Sequence, residues 1–363
     1  MDGVLRFGAA PLFCFASYWS FATVAPAAED YMQNIENKCE KPVLRRVGTL
    51  SVVAIAALVS LLTLSTGPAS AAGCGQPRDV GRYDMTLTSG GHERVFSYFI
   101  PSSYSGQDKV PVVFDFHGSD SNANEQLDRS EWERVAEREG FIAVAPQGSM
   151  PTKRAGYFAW NVPGVAKGEA DEEAYIRDVI KAVEDNFCVD PASFYATGYS
   201  GGGRMVSQYL CDGHTDFAAA GLVVGLRAGT PKREGETWVP DAATCKPAKP
   251  MSLIAFAGLD DKINPIAGQG LPYWGYGADA ALHRWAELDG CKAPTVKTEG
   301  RVETTDYAQC ADGVRIASYR LAGAGHTWPG STASLKIQKV IGKVSFDLNA
   351  TDMMWDFFSK SKR

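Results

Sequence analysis

Gly198-Tyr199-Ser200-Gly201-Gly202 decides the reading of this chain. The residues before it, Ser193 to Thr197, read as a strand, and those after it, Gly203 to Cys211, read as a helix. Gly-x-Ser-x-Gly between a strand and a helix forms a tight turn with small residues on both sides of the serine. Such a turn presents the Ser200 hydroxyl at its tip and turns the Gly201 amide toward any oxyanion forming there. The five residues alone also describe an ordinary Gly/Ser turn capping a helix, so the rest of the chain has to decide.

Outward from the turn, apolar runs alternate with helical patterns. Val110 to Phe116 is continuous apart from Asp115, and Phe141 to Ala145 is a second such run. Both read as buried strands of a parallel sheet. Glu172 to Phe187 places Ile176, Ile180, Val183 and Phe187 on one helix face. Ala218 to Val224, Leu253 to Ala257 and Val314 to Leu321 read as further strands, Ala278 to Leu288 and Asp352 to Ser359 as helices. Asp84 to Thr88 and Glu93 to Ile100 flank Ser89-Gly90-Gly91 as a β-hairpin. The pattern predicts an α/β fold with a mostly parallel central sheet flanked by helices. One domain over residues 72–363 is expected, with loops inserted at 149–170 and 226–250.

Three more loops join Ser200. His117-Gly118-Ser119 follows the strand at 110–116, where a second oxyanion donor is expected, and we assign it to the Ser119 amide. His117 is expected to shape that loop. Gly258-Leu259-Asp260-Asp261 follows the strand at 253–257, and either acid there suits the orientation of an imidazole. Gly325-His326-Thr327-Trp328-Pro329-Gly330 offers a glycine-flanked histidine on a loop, better placed as a general base than His283 within a helix. The chain order serine, acid, histidine is that of α/β-hydrolases, with each group following a strand.

These residues resemble the esterase family that includes polyhydroxybutyrate depolymerases and type-one carbohydrate esterases, such as feruloyl and acetylxylan esterases. The resemblance runs from about Gly81 to Gly330, through Cys188-Val189-Asp190-Pro191 and the serine turn, and is most specific at Gly325 to Gly330. Phe256-Ala257-Gly258 through Asp261 to Pro265 is similar to the family's His-Gly-x-x-Asp-x-x-x-Pro segment, and that register selects Asp261 over Asp260. Ala257 stands where the family usually has His, and Gly201 where many members have Asn. The resemblance implies an α/β-hydrolase fold and a secreted serine esterase with Ser200, Asp261 and His326 as triad. Gly201 and Ser119 would supply the oxyanion hole. No metal or organic cofactor is required. The implied substrate is an ester, either a hydroxyalkanoate oligomer or an acylated plant polysaccharide. Trp160, Tyr273, Trp274 and Trp328 are candidates to line its pocket. A non-catalytic exported binding protein and a serine peptidase on the same fold are the alternatives.

The chain has 363 residues, a net charge of −6 and no strong basic run, which disfavours a nucleic-acid partner. Leu50 to Leu64 is apolar, with Lys41, Arg45 and Arg46 before it and Ala69-Ser70-Ala71 after it, the order of a secretory signal peptide. It is short of the roughly 20 apolar residues of a membrane span. The natural start is expected later than Met1, at Met32 or near Val43. Ala71-Ala72-Gly73-Cys74 also resembles a lipoprotein box. Lipidation of Cys74 is disfavoured, because export otherwise leaves six cysteines, an even set for disulfides. Cys291 and Cys310 bracket an expected hairpin and are the expected pair; partners for Cys74, Cys188, Cys211 and Cys245 are left open.

Overall fold

Seven strands of alternating or continuous apolar character lie side by side, each returned to the sheet by a helix, a loop or a tight turn. They are β1 (Gly81–Ser89), β2 (His92–Ile100), β3 (Val110–Phe116), β4 (Ile142–Pro146), β5 (Val189–Tyr199), β6 (Ala219–Val223) and β7 (Ser252–Gly258). A later group adds β8 (Thr295–Glu299), β9 (Val302–Tyr307) and β10 (Ile316–Leu321). The ten form one sheet in the order β1-β2-β4-β3-β5-β6-β7-β10-β9-β8. From β4 to β10 every neighbouring pair is parallel, and antiparallel strands close both edges. This computed structural model describes residues 73–361, all within one compact unit, Gly67–Arg363. The expected signal segment lies outside the described residues.

The period of two along the strands divides the core. Val112, Phe114, Phe116, Ile142 and Val144 face one side, where they meet α3 (Glu172–Asn186), α4 (Gly201–Cys211) and α5 (Ala278–Leu288). Val113, Ala143, Ala145 and Tyr195 face the other, against α1 (Ala123–Ser130), α2 (Trp132–Glu139) and α6 (Ala350–Phe358). Tyr195 stacks on Phe358 there, with ring centroids 4.9 Å apart. A strand buried on both faces needs apolar residues throughout, which is why β3 and β4 read as unbroken runs.

The expected elements are present with shifted ends. The strand before the serine is longer, Val189–Tyr199 rather than 193–197, and the helix after it begins at Gly201 rather than at 203. The late strand begins at Ile316, not 314, and the closing helix spans Ala350–Phe358, not 352–359. Helices α1 and α2 had no forecast. Their sequences, ANEQLDRS and WERVAERE, are mostly polar, and only a narrow apolar stripe reaches the sheet. Asn122 caps α1 through the Glu125 amide. Each of the two long inserted loops contains a small hairpin, Met150–Pro151 with Phe158–Ala159 and Pro231–Glu234 with Thr237–Pro240.

Three disulfides tie the described chain. Cys291–Cys310 brackets the β8–β9 hairpin as expected. Cys74 pairs with Cys188 and Cys211 with Cys245. The Cys74 sulfur is thereby occupied, which leaves no thiol there for a lipid thioether.

Asp115 is the one charged residue in β3 and is fully buried. Its Oδ1 accepts from Thr197 Oγ1 at 2.6 Å and from Gln126 Nε2 at 2.9 Å. Burial outweighs these bonds and pushes its pKa up to about 6. A carboxyl whose folded pKa lies above its unfolded value stabilises the fold at low pH, and that contribution fades as pH rises through about 6. The stability of Asp115→Asn relative to wild type is therefore expected to increase by about 2–3 kcal/mol between pH 4 and pH 8. Urea unfolding across that range checks this, and a pH-independent difference contradicts it.

Candidate active site

The turn at Ser200 is held in a conformation that L-residues seldom adopt, with φ 52° and ψ −112°. Its amide donates to Val223 O at the end of β6, at 2.9 Å. What permits the turn is the absence of side chains around it. A Cβ on Gly202 would stand 2.1 Å from Phe116 O and 2.6 Å from His117 O, backbone atoms at the end of β3. The turn therefore presses directly on the loop that follows β3, and Ser119 is brought beside Gly201. A Cβ at Gly201 would come within 2.5 Å of Ser119 Oγ and 3.0 Å of Ser119 N. Gly201 opens α4, so its N–H has no acceptor within the helix.

His326 Nε2 lies 2.7 Å from Ser200 Oγ, and His326 Nδ1 lies 2.6 Å from Asp261 Oδ2. The three side chains come from residues up to 126 apart in the chain. All are buried, Ser200 the least, at 9% exposure. The other oxygen of Asp261 accepts from the amides of Ile263 and Asn264 at 2.8 and 2.9 Å, which fixes the carboxylate's direction. Asn264 is itself held, donating to Val224 O and accepting from Arg227. Asp260, its rival by sequence, points to solvent. The imidazole is seated by its backbone: His326 N donates to Ile341 O at 2.7 Å, and the Tyr199 hydroxyl donates to His326 O. His283 is exposed on α5, as its helical position implied.

The loop after β3 is clamped from beneath. His117 is fully buried, and its Nε2 accepts from the Gly148 amide at 2.9 Å and faces Gln147 Nε2 at the same distance. Its Nδ1 donates to Gly118 O. Burial lowers its pKa to about 4, so at neutral pH it is an uncharged strut. Trp160 is equally committed. Its indole donates to His117 O at 2.7 Å. Trp328 donates to Thr351 Oγ1 and packs beside Tyr199. Both are buried and neither lines the cleft, which corrects the expectation that they are pocket walls: each spends its one donor inside the protein.

Tyr273 and Trp274 do line the cleft, a hollow of about 510 Å³ that opens on Ser200 and His326. The far wall comes from a segment the sequence gave no reason to single out, Ala333–Ile337 and Gln338–Ile341, whose Ile337 and Val340 are exposed. Arg204, one helical turn after Ser200, is a second unforeseen lining residue. A lone arginine in the otherwise apolar and polar-neutral run of α4 was the available signal. Two other hollows, of about 440 and 540 Å³, contain none of Ser200, Asp261 or His326.

A hydroxyl bonded to an imidazole that is bonded to a buried carboxylate can yield its proton as the oxygen attacks an electrophile. Residues 95–236, which include the serine turn, match the family model described as Esterase PHB depolymerase. The chain is similar to feruloyl esterase B of Piromyces equi, 28% identical over 234 residues, which are 62% of this chain and 41% of that protein. It is also similar to a probable feruloyl esterase C of Aspergillus flavus, 25% identical across 74% of this chain and 89% of that one. Among solved structures it resembles an S-formylglutathione hydrolase from Agrobacterium tumefaciens with a TM-score of 0.50, at 11% identity over 77% of this chain and 95% of the other. That likeness bears on the α/β-hydrolase fold alone.

The contacts at the turn make separable predictions. Gly202→Ala is expected to destabilise the fold by about 3 kcal/mol or more, since the neighbouring atoms are backbone and cannot swing away. Gly201→Ala is expected to cost less, because the Ser119 hydroxyl can rotate. Thermal unfolding of both variants checks the order, and equal losses contradict it.

Proposed function

We propose that this chain is an exported serine esterase that hydrolyses carboxylic esters through an acyl-enzyme. The observation that carries the reading is the bonded series Ser200–His326–Asp261 at the mouth of a cleft. His326 Nε2 takes the proton as Ser200 Oγ attacks the ester carbonyl. Asp261 holds the Nδ1–H tautomer and stabilises the imidazolium that forms. The Gly201 and Ser119 amides receive the oxyanion, each worth about 3 kcal/mol at the transition state. His326 then returns its proton to the leaving alcohol, and water resolves the acyl-enzyme with the same base. No step asks for a metal or an organic cofactor.

Feruloyl esterase names among the relatives favour aryl-acid or acyl esters of plant polysaccharide, and the family description favours hydroxyalkanoate esters. Tyr273 and Trp274 give the cleft an aromatic side suited to either. Three disulfides fit an oxidising compartment and hence export. Among the described residues no helix is long and apolar enough to cross a membrane.

A fluorophosphonate probe is expected to label wild type and not Ser200→Ala; an unlabelled wild type would support a binding protein on this fold instead. Ser200→Ala and His326→Ala are each expected to lower turnover by several orders of magnitude. Asp261→Asn is expected to be severe and Asp260→Asn mild, and the reverse result would transfer the orienting role to Asp260. Initial rates on methyl ferulate, an acetylated xylan and polyhydroxybutyrate, measured side by side, identify the ester class. Turnover of peptides but of none of these esters would make the chain a peptidase.

A further inference from the structure

The cleft contains a buried cation with no hydrogen-bond acceptor among the described residues. Arg204 lines it together with Ser200, Tyr273 and Trp274 and is only 9% exposed. Its guanidinium carbon sits 4.2 Å from the centre of the Tyr273 ring and 4.9 Å from that of Trp274. Trp274 in turn meets His326 edge to face, with ring centroids 6.5 Å apart. One indole thus spans the space between the imidazole and the guanidinium.

Stacking accounts for the flat faces of Arg204 and not for its edge. Its Nε is buried without a hydrogen-bond partner. Among the described residues, the charged or polar neighbours that act on its ionisation are Tyr273 and Arg227, and neither is a carboxylate. Burial lowers its pKa to about 10, so the group is still cationic at neutral pH. Arg227 provides the internal comparison. It is also buried against Trp274 and its Nε too lacks a partner, yet its terminal nitrogens donate to Tyr276 O at 2.7 Å and Asn264 Oδ1 at 2.6 Å, bonds that Arg204 does not have. The acids that line the cleft are already engaged: Asp128 with Arg82, Glu125 with Tyr157, and Asp120 with Thr152. A guanidinium pre-set by two aromatic rings, with its donor edge unspent, is the form in which proteins bind planar oxyanions with two parallel bonds.

We propose that Arg204 binds a carboxylate of the substrate, so that the preferred esters of this chain carry a free carboxylate near the scissile bond. The proposal rests on the esterase reading above and narrows its substrate class. The carboxylate can belong to the acyl part, as in a half-ester of a dicarboxylic acid, or to the alcohol part, as in a linear hydroxyacid oligomer. In this role Arg204 is a positioning residue that holds the ester by its carboxylate and takes no part in the proton transfers at Ser200 and His326.

Two matched pairs of esters test this. For the acyl side they are mono-4-nitrophenyl glutarate and 4-nitrophenyl valerate; for the alcohol side, the linear dimer of 3-hydroxybutyrate and its methyl ester. Wild type is expected to favour the anionic member by about tenfold or more in kcat/KM in one pair, which also identifies the side. Arg204→Met is expected to lower kcat/KM for that member about 30-fold more than for its neutral counterpart, mainly through KM. Arg204→Lys should recover part of the difference, since it restores charge without the planar fork. Equal losses for both members, as a purely structural role would give, overturn the proposal, as does the absence of preference in both pairs.

If no ester turns over and Ser200 takes no fluorophosphonate, the esterase reading fails, and calorimetry still decides the subsite. Binding of monomethyl glutarate to wild type, lost in Arg204→Met, supports the carboxylate site, and no binding to wild type removes it.

Discussion

The tightest constraint in this protein is the approach of the turn at Ser200 to the carbonyls that end β3. No side chain fits between Gly202 and Phe116 O, so turn and loop are held at backbone contact distance. The strained serine is the local cost, about 1–3 kcal/mol for a residue held in so sparsely populated a conformation. The parallel centre of the sheet offsets it. It fixes β3, β5 and β6 in register and leaves their carboxyl ends at one rim. Everything proposed for the site depends on that contact, because it sets Ser119 against Gly201 and aims Ser200 toward His326.

Around it, the rest of the site is a set of supports. His117 stands under the loop after β3 as a neutral post, with Trp160 bonded across to its carbonyl. Asn264 and Arg227 brace the loop that carries Asp261. Tyr199, within the turn, reaches over to the carbonyl of His326. Each strand end is thus tied to its neighbour through side chains, and this lateral bracing keeps three distant loops within hydrogen-bond reach.

Much of this is legible in the sequence because it follows from local rules. Apolar runs gave the buried strands, since a strand covered on both faces admits few polar residues. The glycines flanking Ser200 and His326 marked the loops, because backbone contact excludes side chains. What stayed hidden depends on tertiary geometry. The helices at 123–139 are largely polar because they cover the sheet with a narrow stripe. Trp160 and Trp328 look like pocket aromatics, and nothing local reveals that their indole N–H groups are taken up inside the protein. Arg204 is unremarkable as a letter in the chain; its meaning comes from Tyr273 and Trp274, which arrive from about seventy residues away.

The cleft wall formed by 333–341 has a mechanical side. The segment that a bulky ligand would lean on also carries the Ile341 carbonyl that seats the His326 amide, and Lys343 just beyond it receives the Gly325 amide. A ligand too large for the gap would lever this segment outward and drag the base from its partners. Wall and imidazole seat are therefore one stretch of backbone, and reshaping the first moves the second.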